Sequence, residues 1–377
     1  MTAVRSQKSL GIVFQGFFCY WRYIRKMDEI AYTSLSEQIK KLKSQNLLIE
    51  DESMAKDALS LYGYSNLIKS YRDPYTIIVD GKKMYRSGVS FNQLVSLYLL
   101  DKNLRNSVMA AMIDLEEHIK EAAADVVAHS FGTHPNDYLN FRNYSNKRKR
   151  KYRFTLAGIL ETMRNALDTD KNPIYHYQTE HGVVPPWILF KSIYFSTLVN
   201  FIDQFKISQK NEMIDKIYNL DNLKLDYDSA RKLMMDSLFI CMEYRNLAAH
   251  GGRTYNYACE SSLRTNEIFK SEHEIAVSGF SQLLFILSLF KYQNPFFHLN
   301  NTLNVEVNRH CNRFPQDVTY LGQILNINIV PQTLVYITNS SNKYHLNPYC
   351  SGIKDAIPLE LEEAKSQNYI PCKRCYK

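Results

Sequence analysis

Long apolar runs, glycine-rich loops and a disulfide-dense framework are all missing from this 377-residue sequence, which carries 13 Gly, 11 Pro and 7 Cys. The most apolar stretch near the start, "LGIVFQGFFCYW", is broken by Gln15 and falls short of the roughly 20 apolar residues that span a bilayer. It follows a basic start, but no small-residue cleavage site comes after it, so export is not expected. Either these residues pack on the domain or Met27 is the natural start. Cys19, Cys241, Cys259, Cys311, Cys350, Cys372 and Cys375 are too few and too unevenly spaced for a secreted scaffold, which points to reduced thiols in a cytoplasm. A Gly-rich phosphate loop, Ser-x-x-Lys and His-Glu-x-x-His are absent, as are internal repeats, low-complexity tracts and any helix-turn-helix pattern.

What is present suits a globular chain with a sizeable core, at 45% hydrophobic content. The 46 Lys and Arg outnumber the 38 Asp and Glu, a net charge of +8 that favours polyanionic partners, nucleic acid before a membrane surface.

From about Leu35 the pattern is helical. Ser34 and Glu37 have the spacing of a capping box, and Leu35, Ile39 and Leu42 share one face. Gly63 is a natural break, and Asp80-Gly81 inside "YTIIVDGKKMYRSG" predicts a short hairpin. The periodic segment from Phe91 to about Ser130 is one long helix or two joined near Asp101. Helix is expected to restart after Pro185-Pro186, to run from "DSARKLMM" into "EYRNLAAHGG", and to return in "SEHEIAVSGFSQLLFILSLF". Trp187 reads as a core anchor. Beyond Pro295 the sequence looks less helical, and "QTLVYITNSSNKYH" predicts a second hairpin. The expected layout is an extension at 1–28, a helical domain at 29–295, a connecting segment at 296–330 and a small module at 331–377.

In "EYRNLAAHGG", Asn246 and His250 are four apart on one helical face, with Arg245 on its flank and Gly251 placed to stop the helix. The carbonyl end of a helix favours cationic side chains, which explains Arg245 and His250 as caps. The same trio also suits RNA cleavage by internal transesterification. That reaction needs a base for the 2′-OH, an acid for the leaving oxygen, and cationic or hydrogen-bonding groups for the phosphorane charge.

The RN-x-x-x-H spacing resembles the signature of the HEPN superfamily. The ordered segments "SLSEQIKKLKSQNLLIEDESMAKDALSLYGYSNLIKSY", "FNQLVSLYLLDKNLRNSVMAAMIDLEEHIKEA", "PPWILFKSIYFSTLVNFI" and "YRNLAAHGGRTYN" resemble the Abi family of abortive-infection proteins, of the AbiD/AbiF type. The resemblance implies a HEPN-type α-helical bundle that dimerises. It implies Arg245 and His250 as the catalytic pair, Asn246 and Glu243 in support, and no metal in the chemistry. It further implies an endoribonuclease toxin of phage defence, with RNA as substrate and a non-coding RNA as regulator. The family often follows its His with another His or Asn, whereas Gly251 and Gly252 stand here. A non-catalytic RNA-binding scaffold built on the same bundle is the alternative, and a DNA-binding zinc protein a third reading.

His345 and Cys350 in "YHLNPYC", with Cys372 and Cys375 in "PCKRC", make a full tetrahedral shell for a structural Zn²⁺. A module this small has little core, so a metal staple is physically reasonable. A redox Cys-x-x-C pair is the rival reading. Lys373, Arg374 and Lys377 would suit phosphate contacts. Lys147, Arg148, Lys149, Arg150, Lys151 and Arg153 form a candidate RNA backbone grip with Tyr152 to stack, or else an exposed loop. Asp114, Glu116, Glu117 and His118 read as solvated or paired across helices, with Glu117 and Glu121 placed to face a cleft. His129, His134, His181 and His310 have core or surface roles by default. The fold class read from the whole is mainly α, with a hairpin insertion and a small C-terminal zinc-binding β-hairpin domain.

Overall fold

The computed structural model describes residues 32–270, 277–329, 334–350 and 353–376, so the expected extension at 1–28 and the boundary near Val330 lie outside the described residues. The chain divides into two compact units, one ending at Asn92 and one beginning at Gln93, a division the sequence pattern did not announce.

In the first unit, α1 (Leu35–Ser44) starts on the expected capping box. The Glu37 N–H donates to Ser34 Oγ at 3.3 Å, and the Ser34 N–H donates to Glu37 Oε2 at 2.8 Å. Helix α2 (Glu52–Tyr62) ends at Gly63, where φ is 78°. The predicted hairpin is β1 (Thr76–Val79) and β2 (Lys82–Tyr85), with Val79 opposite Lys82. Asp80 and Gly81 both take positive φ, 47° and 70°, the turn whose twist matches the strands.

The chain then enters α3 (Phe91–Phe131), a single 41-residue helix unbroken at Asp101. The second unit continues with α4 (Leu156–Leu167), α5 (Ile174–His181), α6 (Phe195–Asp203), α7 (Ile207–Ile217), α8 (Tyr227–Ala249), α9 (Gly279–Leu289), α10 (Asn294–Arg313) and α11 (Val318–Leu325). After Pro185 only Pro186–Leu189 and a short 3₁₀ turn form before Tyr194 goes extended, so the helix restarts in two pieces. Helix α9 begins at Gly279, and 271–276 lie outside the described residues.

The stretch 296–330, expected to be less helical, is largely the helices α10 and α11. Its asparagines mask an apolar stripe four residues apart: Leu299, Leu303, Val307 and Cys311 are all buried. His310 takes a core role there: Nδ1 meets Ser96 Oγ at 2.9 Å and Nε2 meets Asp317 Oδ2 at 2.8 Å. Gln93 Nε2 donates to the same Asp317 carboxylate at 2.9 Å. The stretch is therefore packed on α3 and belongs to the helical body.

At the C-terminus β3 (Leu334–Thr338) and β4 (Ser341–His345) form the expected hairpin. With β5 (Ile357–Glu360), α12 (Leu361–Ser366) and β6 (Ile370–Pro371) they give a sheet ordered β5-β3-β4-β6, in which β6 lies parallel to β4. Val335, Ile337, Tyr344 and Ala364 are its small core. The protein is mainly α, with small β-sheets. No described helix is long and apolar enough to cross a membrane.

Candidate functional site

Helix α8 starts where Asp226 accepts the Ser229 N–H at 2.8 Å, and it buries Leu233, Met234, Leu238, Cys241, Tyr244 and Ala248. Its end is a complete Schellman cap: Gly251 N–H donates to Ala248 O at 3.1 Å and Gly252 N–H to Leu247 O at 2.9 Å. Gly251 has φ of 70°, as the motif requires. A Cβ on Gly252 would lie 2.3 Å from Leu247 Cδ1, so a larger residue there would have to push that side chain aside. His250 occupies the C-cap position itself, exposed to solvent. Among the described residues neither its ring nor the Asn246 amide group has a hydrogen-bond partner.

Helix α3 supplies the support. Asp101, fully buried, accepts the N–H groups of Thr254 and Tyr255, each at 2.8 Å, and so ties down the chain just beyond the cap. Arg105 donates to Gly251 O at 3.3 Å. Further along, Glu116 accepts from Arg245 Nε at 3.3 Å and pairs with Lys120 Nζ at 2.9 Å. As the α3 partner number rises the motif number falls, so the two helices run antiparallel. Arg245 is thus held by a buried carboxylate while Asn246 and His250 stay free to meet a ligand.

Glu243 lies on the opposite side of this arrangement. It accepts the N–H groups of Glu260 and Ser261 at 2.8 and 2.9 Å, and the Tyr257 hydroxyl at 3.2 Å, which makes it a staple for the loop after the motif. Asp101, Arg105 and Lys120 were not singled out from sequence. Asp101 did leave a signal: a carboxylate within the stripe Leu94, Leu97, Leu104 and Val108, all fully buried, is paired or strongly hydrogen-bonded. Glu116 pairs across helices, in keeping with its sequence pattern. Asp114 accepts from the Tyr292 hydroxyl at 2.7 Å, and the His118 ring lies tilted against that ring, 4.9 Å between centroids.

The basic run splits. Lys147 and Lys149 bind Asp203 at 2.8 and 2.6 Å, where Lys210 also sits, so they fasten the loop to α6. Arg148, Arg150, Lys151 and Arg153 remain exposed. Tyr152 is exposed too and donates to Glu161 at 2.8 Å. Trp187, expected in the core, is 37% exposed.

In the C-terminal module His345, Cys350, Cys372 and Cys375 are buried, with ligand atoms all within 4.8 Å of one another. Cys350 Sγ and Cys372 Sγ are 4.0 Å apart, and Cys375 Sγ is 3.8 Å from His345 Nδ1. Those are close to the edges of a tetrahedron with metal–ligand bonds of roughly 2.0–2.3 Å, so the four residues fit a metal ion. Burial pushes the Cys350 thiol up to about 12, a cost that a cation would remove. Burial acts the same way on Cys372, but the backbone N–H groups of Cys375 and Arg374 bring it below the ordinary thiol value. The group is therefore arranged to hold an ion such as zinc.

No curated protein and no solved structure matches the chain. A family model described as "Abi-like protein" matches residues 57–256, which take in α3, the motif helix and its cap and stop before the metal-binding module. That span is more than half of the sequence, and the chain belongs to the Abi-like protein family.

Proposed function

We propose that this protein is a HEPN-type endoribonuclease toxin of abortive-infection phage defence, cutting RNA by internal transesterification without a catalytic metal. The observation that carries the reading is the end of α8: an exposed His250 with no partner among the described residues, one turn from an unengaged Asn246, beside an Arg245 clamped by Glu116. Family membership supports the setting, since abortive-infection effectors act by arresting the infected cell.

His250 supplies the proton chemistry. A neutral imidazole takes the proton of the 2′-OH as it attacks phosphorus, and an imidazolium gives one to the departing 5′ oxygen. One ring cannot easily serve both sides of the phosphate. Two copies of the chain, with their motifs facing, place a base on one side and an acid on the other. Arg245 and Asn246 would meet the charge that builds on the non-bridging oxygens. Arg245 has its orientation set beforehand by Glu116, so little reorganisation is needed as that charge develops. Glu243, with both oxygens hydrogen-bonded to the loop, holds that loop in place.

The exposed cations Arg148, Arg150, Lys151 and Arg153 are the proposed grip on RNA phosphates, for substrate or for a restraining non-coding RNA. Zn²⁺ at His345, Cys350, Cys372 and Cys375 would be structural, because four protein ligands leave no open position. A toxin acting on cellular RNA would work in the cytoplasm. Incubating the purified protein with RNA in EDTA tests it. Cleavage by wild type and none by His250→Ala, with equal RNA binding, supports the nuclease; equal binding and no cleavage by either supports a non-catalytic RNA scaffold instead.

A further inference from the structure

From Val184 to Phe190 every side chain is buried except one. Val184, Pro185 and Pro186 lie inside on one side, Ile188, Leu189 and Phe190 on the other, and Trp187 alone emerges. Its mount is stiff, because Pro185 and Pro186 fix the backbone ahead of it and the short helix opens on Pro186. At 37% exposed the indole keeps part of its surface in water where the rest of the segment does not, and an indole held rigidly at the surface can serve as a platform for a flat ligand.

The indole faces a cleft of about 490 Å³ lined by Glu117, Lys120, Glu121, Trp187 and Lys191. Glu117 and Glu121 are four apart on α3, and among the described residues neither has an ion pair or a hydrogen bond. Two unpaired acids on one helical face repel each other mildly, so their placement gains nothing for the helix alone. Lys191 is exposed and also unpaired among the described residues. Lys120 ties the cleft to the motif: its ammonium group sits on Glu116, the same carboxylate that holds Arg245. The cleft opens one shared carboxylate away from the motif arginine. It lies on the side of Arg245 away from His250, since the α3 contacts progress from Arg105 at the cap to Glu116 at Arg245.

We propose that this cleft is a base-specificity subsite for single-stranded RNA, a few nucleotides from the bond that is cut. An unpaired base stacks on Trp187, Lys191 meets the adjoining phosphate, and the carboxylates of Glu117 and Glu121 accept from an exocyclic amino group. The chemistry selects adenine, cytosine or guanine over uracil, which presents no amino group. The inference rests on the nuclease reading for its substrate, but its readout does not depend on cleavage.

The sequence holds two tryptophans, so Trp21→Phe leaves Trp187 as the sole indole reporter. In the full chain carrying Trp21→Phe and His250→Ala, oligoadenylate and oligocytidylate are expected to quench its emission more strongly than oligouridylate. An oligonucleotide with an abasic position should lose that quenching. Glu117→Ala with Glu121→Ala, which removes both acceptors, should abolish the preference over uracil. Trp187→Ala should weaken oligonucleotide binding about 5- to 150-fold, the range for loss of one stacked base, and Trp187→Tyr should recover most of it. Emission indifferent to oligonucleotides, or quenching that ignores base identity, overturns the subsite. A wild-type protein that cuts RNA yet gives that result loses the subsite alone. A protein quenched as expected that never cuts RNA loses the nuclease reading alone.

Discussion

Glu116 holds Lys120 at 2.9 Å and Arg245 at 3.3 Å with one carboxylate, so the direction of the motif arginine is set from α3 rather than from its own helix. Glu116→Gln keeps the shape and removes the charge. Misplacing Arg245 by about an ångström should lower kcat up to about 100-fold with KM little changed, which single-turnover and steady-state kinetics on one RNA would separate. Asp101 acts on stability instead. Asp101→Ala strands two buried N–H groups, those of Thr254 and Tyr255, and should cost roughly 3 kcal/mol by urea denaturation, whereas Asp101→Asn keeps an acceptor and should cost less. Asp101 is a carboxylate in an apolar stripe, but the sequence marked it only as a candidate joint between two helices, and its partners lie more than 150 residues away. For Glu116 the helix pattern allowed a pairing across helices but could not name Arg245, 129 residues on, as the partner. Trp187 misled for a related reason: its neighbours are core residues, and nothing in a local pattern says which member of an apolar run turns outward.

At the scale of elements, starts and stops were the most legible features, because caps and turns are written in a few adjacent residues. The Ser34–Glu37 box, the Asp80-Gly81 turn and the Gly251 stop all lie where the sequence puts them. The end of α8 is also where such a cap meets the proposed chemistry. Gly251→Ala forces an L-residue to a φ of 70° and should cost about 1–2 kcal/mol in a thermal or urea melt, with a loss of cleavage as His250 shifts. The other end of the helix gives a pH signature. Lys270 and the Ser229 amide hold the Asp226 carboxyl at about 2, below its ordinary 3.8. A depressed carboxyl contributes stability above its ordinary value, and that contribution is lost as pH falls through about 2. Asp226→Asn should therefore flatten the acid limb of the stability curve between about pH 4 and 2, read by circular dichroism. The region 296–330 was least legible. Its Asn-rich surface lowers apparent helicity, and packing of Leu299, Leu303 and Val307 overrides that weak local preference.

Taken whole, the molecule joins a helical body matched by the Abi-like family to a C-terminal sheet whose four buried ligand groups lie beyond the matched residues. The grouping of His345, Cys350, Cys372 and Cys375 was legible, since spacing and residue type name it; the packing of the long helices was not, because it depends on pairs far apart in sequence. Elemental analysis should find about one zinc per chain. Cys350→Ser should lose the ion and unfold the C-terminal sheet, while the α-helical signal largely persists, because a structural metal's binding energy is the folding energy of so small a module. EDTA should leave RNA cleavage intact. Sedimentation should give twice the 44.1 kDa chain mass if two motifs meet at one phosphate. Internal transesterification centred on His250 leaves its signature on the ends of the cut RNA. Wild-type protein acting on end-labelled RNA should leave a 2′,3′-cyclic phosphate and a 5′-hydroxyl, and a single 2′-deoxy nucleotide at the cut site should block cleavage there. Cleavage that persists at the deoxy position, or that leaves a 5′-phosphate, would rule out internal transesterification.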